Sequence, residues 1–177
     1  MTAVVHYQMS DLTGAQAQKI AVLVNAIWPE DKSVDELIED MAANSAGREV
    51  FVVWDNDMPI AHAEIFSRTL GLENGELVIM AIGVVCVDEQ RRGEGLSRDV
   101  MNAVFAQVDS GRYPIALLQT AIPDYYAKLG CKLVENEWWN SQADNPKAYP
   151  WYDPNIMIYP DNADWPTGRI DLNGRDF

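Results

Sequence analysis

This sequence contains few cysteines, few basic side chains and no long hydrophobic run. Its two cysteines, Cys86 and Cys131, show no CxxC spacing and have no neighbouring histidine. A disulfide-dense protein and a cysteine-based zinc centre are therefore excluded, and both thiols are expected to be reduced packing residues with no metal site. The longest apolar run, residues 77–87, falls short of the roughly 20 residues that a membrane-spanning helix needs.

The shortage of basic residues gives the chain a strongly negative charge. The 13 Lys and Arg residues face 27 Asp and Glu residues, for a net charge of −14. This charge repels the phosphates of nucleic acids and anionic lipids, so neither a nucleic acid nor a membrane is expected as a partner. It fits a cationic ligand, although acidity also serves solubility alone. Because the first residues lack a basic region followed by an apolar stretch, no secretory signal is predicted and a cytoplasmic location is expected.

The first half of the chain predicts both helices and strands within one globular domain. Its length of 177 residues and its hydrophobic content of 48% are ordinary for such a domain. Apolar spacing at i, i+3, i+4 and i+7 predicts a helix through Ile20–Ile27 that ends at Pro29. Ser33 and Glu36 form a capping box that begins a second helix. Strands are predicted at 4–9, 50–54 and 60–66, with a hairpin turn between the last two.

The second half predicts a central strand and a parallel crossover. A hairpin turn at Asn74-Gly75 leads into the strand 76–87, whose apolarity on both faces indicates a position inside the sheet. Gly83 within this strand indicates a β-bulge. An apolar helix through 96–108 and a strand at 115–118 follow, and the order strand, helix, strand predicts a parallel pair. A short helix at 122–129 and strands at 131–134 and 156–159 are expected beyond it.

The most informative segment is the loop between the central strand and the helix that follows. Its glycines, Gly93 and Gly95, allow main-chain N–H groups to point at one place, and the N-terminus of the helix favours an anion there. The spacing is QxxGxG from Gln90, which differs from the phosphate loops GxxxxGK[ST] and GxGxxG. Three of the few basic residues gather beside the loop: Arg91, Arg92 and Arg98. We therefore predict a phosphate-binding loop.

Gln90, Gly93 and Gly95 resemble the [Q/R]xxGx[G/A] loop of the GNAT acetyltransferases, which follows the fourth strand of that fold and binds acetyl-coenzyme A. The resemblance implies an α/β (α+β) structure, the GNAT acyl-CoA N-acyltransferase fold. This fold has a mixed central sheet with helices on both faces, and its strands four and five splay apart. The domain would cover residues 1–160, and residues 161–177 would form an acidic and aromatic tail of the same domain near the acceptor site.

The resemblance also implies acetyl-coenzyme A as the cofactor and assigns residues to it. The pantetheine arm would pair with the main chain at 85–87 in the manner of an added strand. The pyrophosphate would be bound by the loop 90–97. The residues assigned to the cofactor in this way are Val85, Cys86, Val87, Gln90, Arg91, Arg92, Gly93, Glu94, Gly95, Leu96 and Ser97.

Acetyl transfer to an amine needs a proton acceptor, a donor to the developing oxyanion and a proton for the departing thiolate. By its position in the family's xYxxxG helix, Tyr126 would be the general acid, and a packing role in the core is the alternative. A main-chain N–H near Val85 would bind the oxyanion. Because 80–85 contains no ionisable side chain, His62 and Glu64 are the candidates to draw a proton through water, with a solvent-facing pair as the alternative.

The chain also resembles, more distantly, the aminoglycoside 2'-N-acetyltransferases. The strand 60–63, Tyr126 and the ending 173–177 carry this resemblance, whereas Phe177 stands in place of Trp and Gly83 in place of a glutamate on strand four. The implied acceptor is a small cationic amine, which carboxylates would bind, although acidic loops are also commonly just solvated. The carboxylates expected around it belong to Glu30, Asp31, Asp35, Asp153, Asp176 and the chain end at Phe177.

Taken together, the sequence predicts an enzyme, an acetyl-coenzyme A dependent N-acetyltransferase that transfers directly to a small amine. One alternative is a non-catalytic module that senses coenzyme A or binds polycations. Another is an acyltransferase with a longer acyl donor, as in the nodulation acyltransferases. An acyl-cysteine route is disfavoured because Cys86 lies in the buried run and Cys131 has no evident histidine partner. A homodimer is one alternative for the oligomeric state, which the sequence leaves open.

Overall fold

The computed structural model describes residues 3–177 and has mixed α/β structure. Two short 3-10 helices, Met9–Asp11 and Glu89–Arg91, accompany the main elements. Among the described helices, none has the length and apolar content that crossing a membrane requires. The α-helices and strands are, in chain order, β1 (Val4–Gln8), α1 (Gly14–Ile27), α2 (Val34–Ala43), β2 (Arg48–Asp55), β3 (Met58–Leu72), β4 (Gly75–Val87), α3 (Leu96–Asp109), β5 (Ala116–Thr120), α4 (Pro123–Ala127), β6 (Lys132–Leu133), β7 (Glu137–Trp139), β8 (Asn155–Tyr159) and β9 (Arg169–Asp171).

The chain divides into two compact units, and the first comprises Met1–Phe66 with Val84–Ala106. Here β1, β2 and β3 are neighbouring antiparallel strands, with Val50 opposite Glu64 and Val52 opposite His62. The predicted capping box of α2 is confirmed, and α1 begins with another one. The core of this unit joins one face of α1 to the sheet through Ile20, Leu23, Val24, Val50, Val52 and Cys86.

The second unit comprises Ser67–Gly83 with Gln107–Phe177. Its strand order is β3-β4-β5-β8-β6, and β9 pairs with both β3 and β7. The pair β4 and β5 is parallel, as predicted, and the other neighbours of β5 and β8 are antiparallel. The strands β7 and β9 were not predicted, because three residues are too few to show an alternating pattern.

The parallel ladder between β4 and β5 is short. Only Met80 with Ala116 and Ala81 with Leu117 are in register, so the two strands part beyond those positions. The predicted splay of strands four and five is therefore confirmed, as is the mixed central sheet of the GNAT acyl-CoA N-acyltransferase fold. The opening between the strands is where this unit admits residues from the end of the chain.

Candidate active site

A strained residue lies within β4, in the part of this strand that belongs to the first unit. Val84 has a φ of 51°, in the left-handed region that β-branched residues rarely adopt. The sequence indicated an irregularity at Gly83, and the structure has the positive φ one residue later. Such strain persists only where the surroundings hold it, and it is typical of functional sites. The main-chain carbonyl of Val84 accepts a hydrogen bond from Nδ1 of His62 at 2.9 Å.

His62 is held as a neutral imidazole with an unused acceptor. A carbonyl oxygen can only accept, so the bond to Val84 requires the proton on Nδ1 and leaves a lone pair on Nε2. His62 is 2% exposed, and its Nε2 has no hydrogen-bond partner among residues 3–177. Burial lowers the pKa of His62 from its ordinary value, against the opposing effects of the Val84 carbonyl and the charge of Glu64. The Nε2 atom can therefore accept a proton.

Replacing His62 by glutamine is expected to make the free energy of unfolding depend less on pH between pH 7.5 and 5. In the folded state the pKa of His62 is lowered from 6.5. As the pH falls below 6.5, the imidazole therefore gains a proton in the unfolded chain before it does so in the folded protein. The free energy of unfolding should then fall by up to about 1.4 kcal/mol per pH unit in the wild type, until the lowered pKa is reached. Urea unfolding from pH 7.5 to 5 measures this fall, and equal slopes in His62→Gln and wild type would contradict the assignment.

Glu64, the other predicted proton acceptor, is already paired. It lies on the same face of β3 as His62, as expected from their spacing. Its carboxylate is buried and accepts from the guanidinium of Arg48, which in turn lies 4.1 Å from the centre of the Phe66 ring. The carboxylate of Glu64 is thus already bound by Arg48, so His62 is the better candidate for a base.

The loop after β4 has the features expected of a main-chain anion site. The carboxylate of Asp88 accepts from the N–H of Gln90 at 2.9 Å and so begins the turn. Gly93 and Gly95 have φ values of 87° and 84°, which only glycine adopts without strain. The N–H groups of residues 93–96 donate to no acceptor within the described chain. They lie where α3 begins, so their dipoles and that of the helix act together.

The arginines of this loop have different roles. Arg91 binds Asp55 at 2.5 Å and both carboxylate oxygens of Glu94 at 2.8 and 2.9 Å, and these bonds raise its pKa. Arg92 pairs with Glu89 at 3.2 Å. Arg98 forms no ion pair with any of residues 3–177, and its Nη2 lies 3.4 Å from the position that a Cβ on Gly95 would take. Arg91 therefore braces the loop, whereas Arg98 is available to an anion.

Tyr126 lies on α4 in the second unit. The helix is one turn long, shorter than predicted, and begins at Pro123. Tyr126 is 6% exposed, and no hydrogen bond joins its hydroxyl to another of the described residues. Burial, aided by Tyr125, Cys131 and Asp153, raises the pKa of the phenol well above its ordinary value. The hydroxyl thus keeps its proton throughout the neutral range and can donate it.

Residues from the end of the chain enter the gap between β4 and β5. A Cβ on Gly83 would lie 3.2 Å from the main-chain carbonyl carbon of Phe177. The side chain of Gln119 on β5 donates to the Phe177 oxygen at 2.8 Å and accepts from the N–H of Asp153 at 2.8 Å. The ring of Trp151 packs edge to face on that of Phe177. Gln119 was missed by the sequence analysis, and its only signal is a polar residue within an apolar strand.

Four of the carboxylates predicted around the acceptor are exposed, whereas the two cysteines are buried. Glu30, Asp31 and Asp35 are exposed around the start of α2 in the first unit. Asp176 is exposed in the second unit and lines an open cleft of about 550 Å³. Both cysteines are buried, and burial raises the pKa of Cys86 to about 12 and that of Cys131 to about 12. Their side chains are therefore thiols at neutral pH, which does not favour an acyl-cysteine route.

The chain is similar to known proteins in sequence and in fold. The family model described as an acetyltransferase (GNAT) domain matches residues 8–134. The GNAT family N-acetyltransferase YhbS from Escherichia coli, in complex with CoA, is similar with a TM-score of 0.66 and 14% identity over 97% of this chain and 91% of that chain. Escherichia coli ElaA has a TM-score of 0.62 and 19% identity over 88% of this chain and 98% of its own. Among curated proteins, no match to the chain was found.

One similar structure is much longer than this chain. A conserved protein of unknown function from Enterococcus faecalis V583 has a TM-score of 0.61 and 12% identity. The match covers 74% of this chain and 33% of that one, so the chain spans about a third of that protein's length. At these identities the structural similarity concerns the fold, while the match over residues 8–134 concerns the family.

Proposed function

The chain belongs to the GNAT acetyltransferase family, and from this premise we propose that it is an N-acetyltransferase that acts on a small amine. GNAT domains bind acetyl-coenzyme A, and this is the cofactor. The observation that carries the proposal is the row of main-chain N–H groups at 93–96 that lack acceptors within the described chain, beside an unpaired Arg98. Such a group of donors at the start of a helix fits a pyrophosphate.

The residues that would hold the cofactor lie at the end of β4 and the start of α3. The main chain of Val85 and Val87 would pair with the pantetheine arm, and the loop from Gln90 to Ser97 would hold the pyrophosphate together with Arg98. Arg91 would act indirectly, because its bonds to Asp55 and Glu94 brace the loop. When bound, the cofactor supplies an acetyl group activated as a thioester.

We assign three catalytic tasks to residues of this chain. His62 accepts a proton at Nε2, in a buried site where the imidazole is neutral at pH 7. Tyr126 is the general acid, because its hydroxyl keeps its proton and has no partner among the described residues. The positive φ at Val84 departs from strand geometry, and the N–H of the next residue, Val85, is the proposed oxyanion donor. Glu64 supports His62 by its charge while it is bound to Arg48.

The acceptor that we propose is an amine that is cationic in solution, with aminoglycosides as a first class to test. Asp153 and Asp176 support this choice, because both are near the gap between β4 and β5. The N–H of Asp153 donates to Gln119 on β5, and Asp176 directly precedes Phe177 in the sequence. Exposed carboxylates at Glu30, Asp31 and Asp35 add negative charge in the first unit. Carboxylates bind ammonium groups through charge-assisted hydrogen bonds.

A panel of amines tests this function. Aminoglycosides, polyamines and amino acids are each mixed with acetyl-coenzyme A and protein, and the release of free thiol is measured against a sample without amine. We expect at least one cationic amine to raise thiol release more than about tenfold over hydrolysis, which corresponds to about 1.4 kcal/mol of barrier. Binding of coenzyme A without any reactive amine would instead favour a non-catalytic sensor. If the same panel reacts faster when a longer acyl donor replaces acetyl-coenzyme A, an acyltransferase for longer acyl groups is favoured.

A further inference from the structure

The cleft in the second unit has two walls, which we call together the 140–176 cleft. One wall is the loop 140–150 and the other is the segment 173–176. Asn140 joins the two walls, because its side chain donates to the carbonyl of Gly174 at 2.7 Å and accepts from its N–H at 3.1 Å. The volume of about 550 Å³ is in the range of small-molecule sites. None of the residues that line the cleft is His62, Tyr126 or Val85, to which the catalytic tasks are assigned.

Arg175 lines this cleft and has no ion pair with any of residues 3–177. The chain has 27 acidic residues against 13 basic ones, and Arg175 is exposed. Many of the other cations are paired with carboxylates, namely Lys19, Lys32, Arg48, Arg91, Arg92 and Arg169. Arg98, also unpaired, lies at the loop assigned to the pyrophosphate. Because Arg175 also lacks an ion pair within the described chain, its guanidinium is available to an anionic group of a ligand. A carboxylate matches the geometry of the guanidinium.

Asp176 provides the opposite charge next to Arg175. It also lines the cleft and forms no ion pair within the described chain. The next residue, Phe177, lies against Gly83 of β4 and is bound by Gln119 of β5. An ammonium group at Asp176 would therefore lie beside the gap between these two strands.

Neutral amides complete the lining of the cleft. Gln142, Asn145 and Asn173 carry both hydrogen-bond donors and acceptors, and Gln142 donates to Asn173 at 3.3 Å. Amides match the amide and hydroxyl groups of a ligand, whereas a polycation would need several carboxylates. Among the residues that line the cleft, one is a cation, one is an anion and the others are neutral.

We propose that the 140–176 cleft binds the acceptor, and that this acceptor is a zwitterion of the amino acid or dipeptide class. Its carboxylate pairs with Arg175 and its ammonium group with Asp176. This inference rests on the proposed N-acetyltransferase function, but it replaces aminoglycosides as the acceptor class, because it requires a carboxylate on the acceptor. A polycationic amine without a carboxylate would leave Arg175 unpaired and facing like charge.

Binding measurements on the 177-residue protein with coenzyme A present test the cleft separately from catalysis. The probes are the common amino acids and a set of dipeptides, each compared with its C-terminal amide, which lacks the negative charge. Affinity is measured by calorimetry for wild type, Arg175→Gln and Lys147→Gln. The last variant is a matched control, because Lys147 is an exposed cation on the same loop that does not line the cleft.

We expect the best acid to bind at least about tenfold more tightly than its amide in wild type and Lys147→Gln, and less than about twofold more tightly in Arg175→Gln. Equal binding of acid and amide in the wild type, no binding of any probe, or an unchanged preference in Arg175→Gln would each overturn the proposal. Thiol release from acetyl-coenzyme A with the same probes is the separate readout. Selective binding without thiol release would retain the cleft and refute the transferase.

Discussion

Replacing Tyr126 by phenylalanine is expected to lower kcat by about 100-fold or more, within the range of general acid catalysis. The variant removes only the hydroxyl, so the ring keeps its packing against Tyr125. Because this hydroxyl has no hydrogen-bond partner among the described residues, its loss should cost less than about 1 kcal/mol of stability. Steady-state kinetics with a reactive amine measure kcat, and calorimetry should find the Kd of coenzyme A within about twofold of wild type.

The neighbouring tyrosine provides the control for this prediction. Tyr125→Phe removes the same atom from the adjacent position on α4, where the side chain is half-buried. We expect its kcat to stay within about threefold of wild type. If both variants lose activity equally, the helix is affected as a whole. If Tyr126→Phe keeps its full kcat, the proton comes from another group and the assignment of the general acid is refuted.

Those parts of the fold that depend on neighbouring residues could be predicted from the sequence. The capping box at Ser33, the hairpin turn at Asn74-Gly75 and the crossover through α3 act over a few positions, so their patterns are visible locally. The QxxGxG loop is similar, because its glycines and the helix that follows are contiguous. Local patterns were thus enough to predict the family and the cofactor.

The contacts that give the candidate site its chemistry join distant positions. The bond between His62 and Val84 sets the tautomer of the imidazole, and that between Gln119 and Phe177 holds the end of the chain at β5. Neither bond has a signal in residue spacing, because register and tertiary packing decide which side chains meet. The sequence therefore left His62 and Glu64 as equal candidates, and the pairing of Glu64 with Arg48 separates them.

Gly83 has a structural role that the sequence did not indicate. Its place inside a strand predicted a bulge, and the neighbouring Val84 has a positive φ. Gly83 also lacks a side chain where the main chain of Phe177 approaches to within 3.2 Å of an added Cβ. A glycine in a strand is compatible with a bulge and with a close approach of another main chain, and the second depends on the distant chain end.

Gly95→Ala is expected to weaken the binding of coenzyme A by about tenfold or more. At a φ of 84° an alanine is strained by roughly 1–2 kcal/mol, so the loop is expected to leave the left-handed conformation and to reorient its N–H groups. The new Cβ would also lie 3.4 Å from Nη2 of Arg98 and would shift that guanidinium. Both changes weaken the interaction with a pyrophosphate, and calorimetry with coenzyme A measures the resulting Kd.

Gly111→Ala separates this loss of binding from a loss of stability. Gly111 follows α3 and has a φ of 78°, and among residues 3–177 no atom beyond its chain neighbours would lie within 4 Å of an added Cβ. It therefore carries similar backbone strain far along the chain from the loop, and urea unfolding should show a comparable decrease in stability for both variants. Only Gly95→Ala should raise the Kd of coenzyme A. An equal rise in both would mean that general destabilisation weakens binding, whereas no rise in either would refute the main-chain cradle at 93–96, because its N–H groups can converge on an anion only while Gly95 holds its left-handed conformation.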